Sequence, residues 1–247
     1  MKRLAILTLL AIAAAAALVG AEYLRERGFW RLNYPSSTDF PVRGIDVSHH
    51  QGAIDWAAVR AEGYEFAVIK ASEGRDHRDR QFQRNWEAAR EAGLLRGAYH
   101  FFTFCSPGRA QASHFVSVVG ESFGELPPFA DVEFVGNCKS WTSIEQIRLE
   151  LREFLDALAA ASGRRPALYF TSEAYDRILA GEFDTDAIWL RAVFGSPAGP
   201  AAARWRFWQF ADNGTVGGVK TLVDLNVFRG TRAELESLAR DHGSLAP

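Results

Sequence analysis

Four carboxylates sit inside apolar runs of this 247-residue chain. Asp131 and Glu133 end Phe129-Ala-Asp-Val-Glu133, Asp46 lies in Gly44-Ile-Asp-Val-Ser48, and Asp224 lies in Leu222-Val-Asp-Leu-Asn226. A charge buried unpaired in such a run costs several kcal/mol, so each needs a partner or a wet pocket. On a strand, Asp131 and Glu133 project to the same face, with Cα atoms roughly 6.6 Å apart. Two carboxyls that close raise at least one pKa. A protonated Glu beside an ionised Asp is the arrangement that glycosidic bond cleavage uses: a proton for the leaving oxygen and a negative charge near the positive sugar. The competing reading is a salt-bridged pair at a loop start, for which Arg and Lys partners are available.

The elements that must position these groups alternate between strand and helix signals. Eight strands are predicted: Gly44–Val47, Phe66–Lys70, Leu95–Phe101, Pro128–Val132, Ala167–Phe170, Ile188–Arg191, Arg206–Phe210 and Thr221–Asn226. Asp79 is placed to cap a helix carrying Phe82, Trp86 and Ala89 on one face. Thr142 and Glu145 have capping-box spacing. The helix they open carries Ile144, Ile147, Leu151, Phe154, Leu155 and Leu158 on one side, an amphipathic pattern stopped by Gly163 and Pro166. Between the last two strand signals only Gly-rich turn residues occur, so those strands are read as hairpin-connected. The fold class is α/β, a barrel over residues 43–240 that is irregular at its C-terminal end. In such barrels function sits at the C-terminal ends of strands, where all four carboxylates fall. No internal repeat is visible.

Net charge is −2, from 28 Lys+Arg against 30 Asp+Glu, which offers no basic excess for nucleic acid. Lys2 and Arg3 precede an uncharged apolar run of 17 residues, Leu4–Gly20. That length lies between a signal-peptide core and a membrane helix, and Val19-Gly20-Ala21 is an acceptable cleavage site. Residues 1–21 are therefore read as a signal peptide or a membrane anchor, with possible membrane contact there, and the rest as exported. Residues 22–42, with Pro35 and Pro41, are read as a tether or irregular arm.

Six blocks in order resemble the glycoside hydrolase family 25 lysozymes, the Chalaropsis-type muramidases. They are Gly44-Ile-Asp-Val-Ser-His-His-Gln-Gly52, Phe66-Ala-Val-Ile-Lys-Ala-Ser-Glu-Gly74, Gly97-Ala-Tyr-His-Phe-Phe102, Leu126-Pro-Pro-Phe-Ala-Asp-Val-Glu133, Trp208-Gln-Phe-Ala-Asp212 and Val223-Asp-Leu-Asn-Val-Phe228. The resemblance implies a (β/α)5(β)3 barrel. It implies hydrolysis of the β-1,4 bond between N-acetylmuramic acid and N-acetylglucosamine in the glycan strands of peptidoglycan. It makes Glu133 the general acid and gives Asp131 the 2-acetamido group or the anomeric carbon. Asp46 and Asp224 would line the same pocket. It implies no cofactor and no protein partner. Where many members carry Trp-x-Ala-x-Tyr, this chain has Trp189-Leu-Arg-Ala-Val-Phe194. Arg191 is thus expected to bind a peptide-stem carboxylate or lactyl group, or to pair with an aspartate.

Weaker candidates complete the site. Tyr99, Tyr169, Trp189 and Trp208 lie near strand ends, where rings stack on sugars or simply pack. Gln209 is a candidate sugar hydrogen-bonder. Lys70 and Glu73 read as a structural ion pair and His100 as a hydrogen-bonded structural histidine. His49-His50 reads as a polar turn, since no third ligand has metal-site spacing. Cys105 and Cys138 follow successive strands on one rim, so a disulfide is expected in an exported protein. The alternatives from other classes are a non-catalytic glycan-binding barrel and a chitinase-like Asp-x-Glu glycosidase.

Overall fold

The computed structural model describes residues 2–183 and 188–240. A long helix α1 (Lys2–Glu26) and an arm lead into strand β1 (Val42–Val47). Then follow α2 (Trp56–Ala61), β2 (Tyr64–Glu73), β3 (His77–Arg78), α3 (Phe82–Glu91), β4 (Leu95–Phe101), α4 (Gly108–Val119), β5 (Phe129–Val132), α5 (Ile144–Ser162), β6 (Ala167–Phe170) and the short α6 (Ser172–Ala174). The closing elements are β7 (Ile188–Arg191), β8 (Trp205–Gly214), β9 (Val223–Phe228) and α7 (Arg232–Arg240).

Eight strands close on themselves in the order β1-β2-β4-β5-β6-β7-β8-β9, with β9 returning to β1. Every pairing from β1 to β8 is parallel, whereas β9 runs antiparallel to both neighbours. Helical turns follow the first five barrel strands, and β8 turns directly into β9. This is the expected (β/α)5(β)3 pattern. The one strand not expected, β3, is a two-residue return against the end of β2.

Two apolar layers hold the barrel. Phe66, Phe129, Trp189, Phe207 and Phe228 fill its interior, and a larger cluster lies between strands and helices. Gly44 makes room inside: a Cβ there would stand 2.3 Å from the Phe66 ring. The aromatic plug seals the barrel below the carboxylates, so polar chemistry is confined to the mouth.

Three local expectations shift. Ser143, not Thr142, caps α5, its side chain accepting from Gln146 N. Asp79 does not cap α3. Its Oδ1 accepts from Gln81 N at 2.8 Å, and its Oδ2 takes His49 N at 2.8 Å and His49 Nδ1 at 3.0 Å. One oxygen is held by the loop after β1, and the other meets Gln81 N just before the helix instead of an amide within its first turn. The arm begins later than residue 22. Helix α1 continues to Glu26, and Phe40 packs on Trp205 and Trp208, covering a wall where no long helix follows the strand.

Candidate active site

The four carboxylates meet at the C-terminal mouth. Asp46 lies one residue before the end of β1, opposite Asp224 of β9 in register. Asp131 lies near the end of β5, and Glu133 is the first residue past it. All four line one cavity of ≈ 340 Å³, together with Ser48, His50, Lys70, Glu73 and Tyr99. Lys70 and Glu73 form an ion pair at 2.8 Å, as expected, and both face that cavity.

Asp46 is held from below. Its Oδ2 accepts Asn226 Nδ2 at 2.7 Å and Gln209 Nε2 at 3.0 Å. Asp224 also hydrogen-bonds Asp46; burial, then Asp46's charge, pushes the Asp224 carboxyl well above the usual range. Two carboxylates in contact share a proton. Asp46 already receives two amide donors, so the proton belongs on Asp224 and the negative charge on Asp46.

The Asp131–Glu133 pair is also pushed upward. Burial raises Glu133 to about 7, opposed by the positive charges of Arg191 and Lys70. Burial and the Glu133 charge raise Asp131 well above its ordinary value. Both members of the pair are thus shifted toward the protonated form. The pair holds at least one proton near neutrality because both members are desolvated. Asp131 Oδ1 is buried without a hydrogen-bond partner among the described residues. That oxygen can accept an N–H or O–H from a ligand.

Several expected sugar contacts lie deeper than the cavity. Tyr169 and Gln209 are buried, and the phenol donates to Gln209 Oε1 at 3.0 Å. Trp189 is 2% exposed, and its Nε1 donates to Asn226 Oδ1 at 2.7 Å. These side chains form a polar layer that orients the two amides on Asp46. Their own polar groups are committed to one another, to Asn226 and to Asp46. Trp208 points outward, donating to Ala192 O at 2.9 Å. Tyr99 does reach the cavity, and burial keeps its phenol protonated. His100 is enclosed by Ser72, Gln111 and Phe154, and burial drives it down to about 3. It is a neutral structural histidine.

Arg191 pairs with none of the four. Its Nη2 meets Asp212 Oδ2 at 2.8 Å, and Asp212 Oδ1 also binds Arg25 at 2.9 Å. Arg191 lines a neighbouring groove of ≈ 430 Å³ with Phe194, and Val135 borders both this groove and the carboxylate cavity.

Cys105 and Cys138 are disulfide-bonded, with Cα atoms 6.2 Å apart. Beside the bridge, Asn137 Nδ2 donates to Phe102 O and Glu133 O, each at 2.9 Å, and its Oδ1 accepts Phe104 N at 2.9 Å. The loop after Glu133 is thus stitched to the loop after β4. Sequence reasoning missed Asn137 and Asn226. Asn226 was findable, because it sits two residues from Asp224 and so shares its face of the strand.

The model of the glycosyl hydrolases family 25 matches residues 45–219. The chain belongs to that family. A solved family 25 glycosyl hydrolase from Bacillus anthracis superposes with a TM-score of 0.79 at 34% identity, covering 85% of this chain and 98% of that one. Lysozyme M1 of Streptomyces globisporus is 36% identical over 212 residues, 81% of this chain and 72% of that protein. The uncharacterized protein YegX of Escherichia coli O157:H7 is 37% identical over 211 residues, 83% and 75% of the two chains. The family 25 barrel is thus a glycoside hydrolase fold; the matched segment contains Asp46, Asp131, Glu133 and Gln209, and Asp224 and Asn226 follow it on β9.

Proposed function

We propose that this chain is an exported muramidase that hydrolyses the β-1,4 bond between N-acetylmuramic acid and N-acetylglucosamine in peptidoglycan. The observation that carries the reading is the Asp131–Glu133 pair, two raised carboxyls at one strand end in a single cavity. Similarity to Lysozyme M1 supports the substrate class.

Glu133 is the more open of the two and stands past the strand end, so it delivers the proton to the leaving glycosidic oxygen. Asp131 Oδ1 accepts the N–H of the 2-acetamido group. That bond favours ionised Asp131 and leaves the shared proton on Glu133. Water then adds at the anomeric carbon as the glycosidic bond breaks, and its proton returns to the carboxylate pair. Asp46 adds fixed negative charge near the positive sugar.

The test is a digest of purified peptidoglycan by wild type and Glu133→Gln, with products reduced by borohydride and weighed. Muramitol-ended fragments from wild type alone support the proposal. Glycan that is bound but uncut favours the non-catalytic barrel, and N-acetylglucosaminitol ends favour a different glycosidase.

A further inference from the structure

The apolar helix leaves the barrel from its catalytic end. α1 runs unbroken through Val19, Gly20 and Ala21 to Glu26, so the segment with cleavage-site composition is helical. The residues just after it are gripped by the mouth-side end of β8. Asn213, only 3% exposed, donates its amide to Arg25 O at 2.5 Å and to Trp30 O at 2.9 Å. Arg25 pairs with Asp212 at 2.9 Å, and Trp30 Nε1 reaches back to Ala21 O at 3.2 Å. Gly28, at φ +77°, lies so close that a Cβ would meet Leu222 at 2.5 Å. Asn33 Nδ2 then binds Ala192 O and Phe210 O. Asp212 and Asn213 lie beyond Gln209 on β8, and Leu222 precedes Asp224. The socket is therefore on the same end of the barrel as the carboxylates.

From Ile6 to Gly20 the helix is exposed. Ile6–Glu26 is 21 residues long and none of it is buried. Its uncharged apolar run, Leu4–Gly20, has 17 residues, about 26 Å at 1.5 Å per residue, at the short limit for the roughly 30 Å hydrocarbon layer of a bilayer. That run has no charged face, which suits lipid rather than a one-sided protein partner. Below it, Tyr23, Phe29 and Tyr34 are exposed, and Arg27 and Arg31 stack on Tyr23 and Tyr34. Aromatic rings with Arg beside an apolar span are the composition of a membrane–water interface.

We propose that α1 is retained as a membrane anchor and that the docked arm holds the barrel with its catalytic mouth toward the bilayer. The enzyme then works on glycan lying against the membrane. That last step rests on the muramidase reading; the anchoring and the orientation do not. Cleavage after Ala21 would require unwinding the helix and breaking the Trp30 bond, which is the physical reason for retention.

The experiment uses the full chain. After export in a bacterial host, membranes are washed with alkaline carbonate and the protein is weighed intact. The uncut chain in the pellet is expected; a soluble chain beginning at Glu22 overturns retention. Orientation is read in phosphatidylethanolamine–phosphatidylglycerol vesicles carrying a headgroup quencher. Cys105 and Cys138 are joined, so a label goes to the introduced thiol of Ser196→Cys, on the mouth side, or Glu91→Cys, just before β4 at the opposite end. Severalfold stronger quenching at 196 is expected, and equal or reversed quenching overturns the orientation. Asn33→Ala with Asn213→Ala should abolish the difference while turnover of soluble glycan fragments persists. A difference that survives both changes overturns the role of the arm. Inactivity with the quenching difference intact would strike the muramidase reading alone.

Discussion

Gln209 and Asp46 meet at 3.0 Å across the barrel mouth, although 163 residues separate them in the chain. The amide has no freedom to turn over, because Tyr169 donates to its oxygen. A phenol on β6 therefore sets which end of Gln209 faces a carboxylate on β1. Tyr169→Phe removes one hydrogen bond of about 1 kcal/mol and frees the amide. The expected result is a fall in kcat of less than about tenfold with KM little changed. Gln209→Leu leaves Asp46 with one amide donor fewer and should lower both kcat and stability further. Steady-state kinetics and urea unfolding of the two variants separate these effects.

Glu133→Gln keeps the shape of the site and removes the transferable proton. Loss of a general acid typically costs about 10²–10⁴-fold, so kcat should fall by at least about 10². With Glu133 at about 7, kcat/KM of the wild type should decline as pH rises past neutrality. A wild-type profile that stays flat into the alkaline range would contradict the assignment.

The same group makes a stability prediction with a definite sign. Its folded pKa of about 7 exceeds the unfolded value of 4.5, so the folded state binds the proton more tightly. Relative to that protonated state, stability is fully present below the unfolded pKa and is lost as pH rises toward and through 7. Glu133→Gln cannot ionise. It should thus be more stable than wild type above pH 7, by up to about 3 kcal/mol, and should lose that advantage in acid. Unfolding curves at pH 5 and pH 8 measure the crossover.

Reducing the disulfide should cost stability and then activity. The bridge joins residues 33 apart, a loop for which chain entropy gives about 3–4 kcal/mol. For a domain of this size that corresponds to roughly 6–16 °C in Tm. The loop it closes contains Glu133, and Asn137 beside it holds Glu133 O. Asn137→Ala should lower kcat even with the bridge intact. Calorimetry with and without reductant, and kinetics of that variant, check the two halves.

The carboxylate layer was legible because each Asp interrupts a run of strand-forming apolar residues, and the pleat then fixes its direction. The missing late helices were legible from the Gly-rich turn between β8 and β9. What the sequence hid depends on contacts between distant strands. Trp189, Tyr169 and Gln209 look like sugar binders because they stand near strand ends. Only the closed barrel shows that Asn226, Gln209 and Asp46 already take the hydrogen bonds of Trp189, Tyr169 and Gln209. The helix caps shifted for a local reason: Ser143 and Thr142 are both competent caps, and only the backbone decides between them. The arm was opaque because Asn33 and Asn213 carry no pattern. Their partners are carbonyls, which every residue has.

The charge of Arg191 acts on Glu133 from a distance. It does not touch Glu133; it pairs with Asp212, which Arg25 also neutralises. With Asp212 shared between two guanidinium groups, part of the Arg191 charge remains to favour ionised Glu133, and it is the leading influence opposing burial there. Arg191→Ala removes that opposition, so the Glu133 pKa should rise further. The alkaline limb of kcat/KM should move to higher pH, by up to about one unit, with the acid form of the enzyme as active as before. Arg25→Ala should move the limb the same way but by less, since Asp212 would then neutralise Arg191 more fully and weaken its field at Glu133. The decisive comparison is the double variant: with Arg191 absent, removing Arg25 should leave the limb where Arg191→Ala put it. pH–rate profiles of the two single variants and the double variant measure this, and an alkaline limb unmoved by Arg191→Ala would show that the arginine serves the groove beside Phe194 rather than the acid.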